Sequence, residues 1–184
     1  MNNQRITETL TTLISKKRFE HSTRVAKKAQ ELAGVHHLDI DKAYVCGLIH
    51  DCAKELSPTS SDVEYDKEHI ALYASYPAVW HSFVIKPVCK YYFGDISEDV
   101  LDAAMYHTTG KSNMSDLQKI IFVADFLEPL RVIQHRDFFE SLAVSSLDKA
   151  VFEVALAKLK WLLTSKLSIH PNLFDCYNFY CKLR

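Results

Sequence analysis

Apolar side chains recur at intervals of three and four residues along most of this chain, the spacing that places them on one face of an α-helix. Only four glycines and five prolines occur among 184 residues, which disfavours a turn-rich sheet architecture. With 48% hydrophobic residues, a chain of this length can bury a sizeable core. We therefore predict one all-α domain spanning residues 1–184, with a plain amphipathic scaffold helix at about 147–166 and a loop at residues 57–62.

Charge and composition narrow the classes of partner. The formal net charge of −1 argues against a broad nucleic-acid-binding face, and no run approaches the roughly 20 apolar residues of a membrane span. We expect neither a nucleic acid polymer nor a membrane as partner. Residues 91–93, Tyr-Tyr-Phe, suit either a homodimer face or ordinary core packing, and both readings remain open.

The cysteines predict the redox environment. Five cysteines, an odd number without the spacing of a disulfide framework, indicate reduced thiols in a cytoplasmic protein. The amphipathic start of the chain is also unlike a signal peptide. Cys46 and Cys52 lie near the first polar motif and are interpreted as small buried apolar residues, not as ligands.

The pair His50-Asp51 ends an otherwise apolar, helix-forming run. Neighbouring side chains on a helix diverge by about 100°, so both can reach one metal only if the helix ends or bends there, or if the carboxylate reaches a second ion. An ionised aspartate among Leu, Ile and Val is costly unless a cation pairs with it. The alternative is a helix end at which both residues are solvated.

Four further imidazole or carboxylate groups lie on, or end, apolar helical stripes: His21, His81, His107 and Asp125. A single core-facing histidine is usually structural, but so many together indicate a metal site. Nitrogen and oxygen ligands suit iron, manganese or zinc, and the lack of cysteine ligands argues against a structural zinc. Because the ligands come from separate segments, the pattern is typical of a catalytic site.

Two candidate phosphate-binding lysines lie close in sequence to these candidate metal ligands. Lys54 follows His50 by one helical turn, and Thr108-Thr109-Gly110-Lys111 forms a short polar loop directly after His107. Both can meet a phosphate group. The alternatives are a surface lysine and an ordinary helix C-terminus at which the dipole favours a lysine.

Four segments carry a resemblance to a known family: HSTRV at 21–25, GLIHDCAK at 47–54, YHTTGK at 106–111 and IFVADFLEP at 121–129. Together they resemble the HD-domain phosphohydrolases and, more narrowly, the bacterial YqeK group. The resemblance covers about residues 16–131 and implies an HD-domain helical bundle. It also implies symmetrical hydrolysis of diadenosine tetraphosphate to two ADP, through attack of metal-activated water on an inner phosphate.

The resemblance implies roles for individual residues. It implies two metal ions, with iron as the preferred metal and manganese or another divalent metal as alternatives. The first metal would be held by His21, His50, Asp51 and Asp125. The second would be held by His81 and His107, with Asp51 bridging. The catalytic residues would be Asp51, Lys54 and His107. The substrate-binding residues would be Lys54, Thr109, Gly110, Lys111, Arg131 and Arg24.

The sequence departs from the family pattern at one place. A Gly-Ala pair is expected four and five residues after His81, where this chain has Ile85 and Lys86. A displaced helix there would alter the second metal site or the adenosine pocket. Other functions also remain open: hydrolysis of another nucleotide, such as a nucleoside triphosphate or a cyclic dinucleotide, a non-catalytic nucleotide-binding signalling module, and a helical interaction protein with structural histidines.

Overall fold

The computed structural model describes residues 3–59 and 62–183, along which the chain forms eleven α-helices and no strand. The helices are α1 (Asn3–Leu13), α2 (Lys16–Val35), α3 (Ile40–Ile49), α4 (Lys67–Ser75), α5 (Pro77–Phe83), α6 (Ile85–Tyr92), α7 (Glu98–Met105), α8 (Asp116–Phe126), α9 (Arg136–Ser145), α10 (Leu147–Thr164) and α11 (Pro171–Cys181). The predicted all-α class is confirmed. The loop predicted at residues 57–62 includes Ser60 and Ser61, which lie outside the described residues.

The centre of the protein is formed by α2, α3, α7 and α8, and α10 packs on α8 and α11. Helices α2 and α3 approach each other closely at Gly47, where an added Cβ would lie 2.5 Å from the Cα of Ala26. Helix α8 is buried along most of its length, from Ile120 to Phe126. A helix that is apolar nearly all round must be enclosed by other helices.

The sequence predicts helix caps at Asp39, before α3, and at Ser115 with Gln118, at the start of α8. The side chain of Asp39 accepts hydrogen bonds from two backbone N–H groups at the start of α3. Ser115 and Gln118 form the predicted capping box at the start of α8. These side chains satisfy backbone donors that have no partner within the helix.

Glycine and proline often end or bend helices, so the sequence predicts that α2 stops at Gly34, that Pro129 ends α8 and that Pro87 kinks a helix. These three predictions are wrong. Gly34 does not end α2, which continues to Val35, and the left-handed residue that follows is His37 with φ 56°. Pro129 does not end α8, because the helix already stops at Phe126. Pro87 does not kink a helix: the break comes at Val84, and Pro87 lies in the first turn of α6, where a missing N–H leaves no intrahelical bond unmade.

The structure bears on two predictions about partners, a homodimer and a membrane. Tyr91 is exposed whereas Phe93 is buried in the core, so the homodimer face stays a prediction. Among residues 3–59 and 62–183, no helix combines the length and apolar character needed to cross a membrane.

Candidate metal centre

The six residues predicted as metal ligands converge from five parts of the fold. His21 lies on α2, His50-Asp51 follow α3, His81 lies on α5, His107 follows α7, and Asp125 lies on α8. The helix α3 ends at Ile49 and the chain turns through residues 50–55. The regular helix ends beside these two residues, and both side chains reach the site, with His50 Nε2 3.6 Å from Asp51 Oδ2.

Asp51 lies between two groups of histidines. Its Oδ2 is 3.7 Å from His21 Nε2 and 3.6 Å from His50 Nε2. Its Oδ1 is 3.1 Å from His81 Nε2 and 3.4 Å from His107 Nε2. The structure therefore contains two candidate metal groups, His21–His50–Asp51 and Asp51–His81–His107, that share one carboxylate.

Asp125 supplies a fourth candidate ligand to the first group, His21–His50–Asp51. Its Oδ1 lies 3.4 Å from His21 Nε2 and 4.0 Å from His50 Nε2. The first group therefore offers two imidazoles and two carboxylates, and the second offers two imidazoles and the shared Asp51. None of the five cysteines, which are all free thiols, belongs to either group.

Two histidines are held in the tautomer that a metal ligand needs. His50 Nδ1 lies 2.7 Å from the Gly47 carbonyl, and His107 Nδ1 lies 2.7 Å from the Ala104 carbonyl. Because a carbonyl only accepts, each Nδ1 must donate, and in the neutral ring the lone pair then lies on Nε2. The Nε2 of His50 is buried without a hydrogen-bond partner among the described residues. A metal ion fits this donor set, since metal-bound imidazoles commonly donate their other nitrogen to a carbonyl.

Burial also keeps the imidazoles neutral. It lowers the pKa of His50 to about 4 and the pKa of His81 to about 3. Both rings are therefore uncharged at neutral pH, which is the form that binds metals.

The two carboxylates are ionised despite their burial. Burial opposes ionisation of Asp51, but attraction from neighbours, first His50, outweighs it and holds the pKa of Asp51 well below its usual range. Burial likewise opposes ionisation of Asp125, but the hydrogen bond from His21 and the charge of Arg131 lower its pKa. Two buried carboxylates this close to one another require positive charge nearby.

Two arginines supply part of the positive charge that these buried carboxylates require. Arg18 Nη1 donates to Asp51 Oδ2 at 2.7 Å, and Arg131 Nη2 donates to Asp125 Oδ1 at 2.9 Å. Arg18 was not singled out from the sequence, although it lies one turn before His21 on α2 and that spacing could have found it. Both guanidinium groups remain partly exposed, so they border the candidate metal groups on their accessible side.

Arg24, predicted to contact a phosphate, is paired with a buried carboxylate. Its Nε donates to Glu128, which is 4% exposed and also lies 3.9 Å from His21 Nδ1. Glu128 therefore lies beside the second nitrogen of a predicted ligand, at a distance longer than a hydrogen bond. Sequence reasoning assigns Glu128 no role beyond its membership of the IFVADFLEP segment.

The predicted phosphate loop is shaped by internal contacts. The Thr109 hydroxyl is buried and donates to the Gly110 carbonyl. Gly110 has φ 62°, a conformation that favours glycine. The Lys111 ammonium lies 4.7 Å from the centroid of the Tyr106 ring. Contact of this loop with a phosphate stays a prediction.

Lys54 lies directly beside the second group. Its Nζ is 3.2 Å from His81 Nδ1 and 3.2 Å from the Ala78 carbonyl. Burial lowers the pKa of Lys54, which weakens its preference for the charged form but leaves a donor at the edge of the site.

Comparison with known protein families identifies the family to which this chain belongs. The family model described as "HD domain" matches residues 18–130, a range that contains all six clustered ligand candidates. The chain belongs to the HD-domain family.

Relatives of this HD-domain protein share nearly its whole length. The Staphylococcus aureus protein named bis(5'-nucleosyl)-tetraphosphatase, symmetrical, is 31% identical, with 91% of this chain and 88% of the relative covered. The Bacillus subtilis protein of the same name is 30% identical, with 90% of each covered. A crystal structure from Clostridium acetobutylicum, described as a predicted HD superfamily hydrolase involved in NAD metabolism, has a TM-score of 0.86 and 31% identity, and the match covers 100% of this chain and 99% of that one.

The departure at Ile85 and Lys86 leaves the HD-domain cluster assembled. Ile85 is fully buried, and Lys86 forms ion pairs with Asp102 at 2.8 Å and with Glu98. Because the helix breaks at Val84, these residues begin α6 and do not extend the helix that carries His81. His81 still reaches Asp51.

The HD-domain protein has one further cation at the site that the sequence did not reveal. Lys158 lies on α10, the helix predicted as scaffold, and donates to the carbonyls of His107 and Thr108. Burial lowers the pKa of Lys158 to about 8. Its position on an amphipathic helix far along the chain gave no signal of this contact.

Proposed function

We propose that this HD-domain protein hydrolyses diadenosine tetraphosphate symmetrically, so that one substrate and one water give two ADP. The observation that carries the proposal is the pair of candidate metal groups that share Asp51. The names of the Staphylococcus and Bacillus relatives, which match about nine-tenths of the chain, support this substrate over other nucleotides.

We propose two metal ions at the shared carboxylate, with iron as the preferred metal and manganese as the alternative. His21, His50, Asp51 and Asp125 would hold one ion, and Asp51, His81 and His107 the other. Imidazole and carboxylate donors suit these metals. Divalent metals bound there supply Lewis-acid activation of water and of a phosphoryl oxygen.

The chain's own cations give the site a preference for a polyphosphate. Arg18, Lys54 and Arg131 lie against the metal groups, and each keeps N–H donors that are not used in the contacts described above. A tetraphosphate chain carries a negative charge on every phosphate, so these cations can bind and orient it. Lys54 and Lys111 are the candidates for charge stabilisation at the phosphoryl group that is attacked.

Symmetry of the products follows from the bond that is cleaved. Water that attacks the phosphorus second from one adenosine breaks its bond to the bridging oxygen of the central anhydride, and ADP leaves. The attacked half, with the oxygen of water added, is also ADP. A cytoplasmic location, inferred from the free thiols, suits an enzyme that acts on such a nucleotide.

Product analysis tests the proposal. Protein loaded anaerobically with Fe²⁺ is incubated with diadenosine tetraphosphate, and the products are separated by anion-exchange chromatography. We expect ADP alone, two per substrate consumed. A mixture of AMP and ATP contradicts the symmetrical cleavage, and turnover of ATP or a cyclic dinucleotide in place of the tetraphosphate moves the substrate to another nucleotide.

A further inference from the structure

The segment that carries His107 is held from outside the region that matches the HD-domain model. That model ends at residue 130, whereas α10 and α11 lie at residues 147–181. The Tyr180 hydroxyl on α11 accepts a hydrogen bond of 2.8 Å from the Met114 N–H. An added Cβ at Gly110 would lie 2.6 Å from Cys176 Sγ. The backbone of residues 107–114 is therefore packed closely against the C-terminal helices.

Lys158 makes the contact nearest to the candidate metal groups. Its Nζ donates to the His107 carbonyl at 3.2 Å and to the Thr108 carbonyl at 3.0 Å. It also lies 4.2 Å from the centroid of the Phe122 ring. Two carbonyls and an aromatic face together fix the position of the ammonium.

A lysine at the end of a helix is often a simple cap, because the last carbonyls of a helix have no intrahelical partner. The carbonyls bound by Lys158 lie beyond that last turn. Helix α7 ends at Met105, and one of the two carbonyls belongs to the ligand residue His107 itself. The contact is therefore directed at the segment that presents the ligand and not at the helix.

Two contacts determine the direction of the His107 imidazole. Its ring Nδ1 donates to the Ala104 carbonyl at 2.7 Å, and its main-chain carbonyl accepts from Lys158. The ring Nε2 then faces Asp51 at 3.4 Å, and the Thr108 hydroxyl lies 3.0 Å from the same nitrogen. Without Lys158, the main chain at residues 107 and 108 has two partly buried acceptors without their donor, and the backbone can rotate to reach others.

We propose that Lys158 is a positioning residue for the second metal group, Asp51–His81–His107. It acts through the backbone of His107 and Thr108 and does not touch substrate. The proposal rests on the metal centre proposed above. It assigns a role in the site to a helix outside the matched HD-domain region.

Metal titration tests this proposal without substrate. Metal-free wild-type protein and the variants Lys158→Met, Lys158→Arg and Lys160→Met are titrated with Mn²⁺, and the bound equivalents and their affinities are measured by calorimetry. Lys160 is an exposed lysine on the same helix and provides the matched control. Thermal unfolding of each metal-free variant confirms that it folds.

We expect the wild-type protein and the Lys160→Met variant to bind two equivalents. In Lys158→Met, the first equivalent should bind normally and the second about 10–100-fold more weakly, the usual effect of removing a residue that orients a ligand. Lys158→Arg retains the charge and the donors and should recover most of that loss. If Lys158→Met does not fold, Lys158→Gln replaces it, and the same weakening of the second equivalent is expected.

Each other outcome is decisive. Unchanged affinity for both equivalents in Lys158→Met, or in Lys158→Gln where it is used, overturns the role of Lys158. Equal weakening of both equivalents also overturns it, because that result indicates a general structural effect. If the wild-type protein binds no Mn²⁺, the titrations are repeated anaerobically with Fe²⁺. A wild-type protein that binds neither ion overturns the proposed metal centre itself, and the inference about Lys158 falls with it.

Discussion

Replacing Asp51 with alanine is expected to eliminate binding of both metal ions and to lower kcat for diadenosine tetraphosphate by at least about 1,000-fold. Removal of a single preorganised electrostatic group typically costs about 10²–10³-fold in kcat, and Asp51 contributes one oxygen to each histidine group. The measurements are the metal content of the purified variant and its rate of ADP formation.

The matched control for Asp51→Ala is Asp175→Ala, because Asp175 is an exposed aspartate on α11. We expect that variant to retain two metals and the wild-type rate. Retention of one metal by Asp51→Ala would show that the two groups do not share this carboxylate. The metal-free Asp51→Ala protein should remain folded, because Arg18, the cation paired with Asp51, is partly exposed and can be solvated when the carboxylate is removed.

The second large effect is expected from Gly47→Ala. The new Cβ would lie 2.5 Å from the Cα and 2.8 Å from the backbone N of Ala26, so α2 and α3 must move apart. Overpacking of this kind costs about 1–3 kcal/mol, and each kcal/mol lowers the melting temperature by about 2–4 °C in a chain of this size. Thermal unfolding of the metal-free protein measures the change.

Activity should fall with stability in Gly47→Ala, because the two helices carry His21 and the residues before His50. A displacement of about 1 Å can cost about 100-fold in rate. The control is Gly34→Ala, where the nearest atom to the new Cβ is Ile40 Cγ2 at 3.9 Å. Gly34 lies inside α2, so alanine there should stabilise the protein by about 0.5–1 kcal/mol. Equal melting temperatures for the two variants would contradict the close approach at Gly47.

The clustered residues were accessible from the sequence because they break a strong pattern. A histidine or aspartate on an otherwise apolar helical stripe must find a partner in the core, and this reasoning singled out His21 and Asp125 before any contact was known. The end of α3 beside His50-Asp51 follows from the same geometry, since adjacent ligands cannot face one site from a regular helix.

The cations could not be assigned from pattern alone. Arg18 lies one turn before His21 on α2, but arginines are common on helix surfaces, and nothing in the sequence shows that this one reaches Asp51. The contact of Lys158 with His107 depends on how α10 crosses the rest of the fold, and sequence separation gives no measure of that. The helix end predicted at Gly34 is wrong because the residue type alone does not fix the backbone conformation. The backbone of α2 remains helical through this glycine, and the left-handed turn falls at His37.

Anomalous diffraction from crystals of the iron-loaded protein tests the central claim most directly. We expect two iron peaks, one beside His21, His50 and Asp125 and one beside His81 and His107, with the Asp51 carboxylate between them. A single peak, or peaks that do not contact Asp51, would contradict the shared two-metal centre.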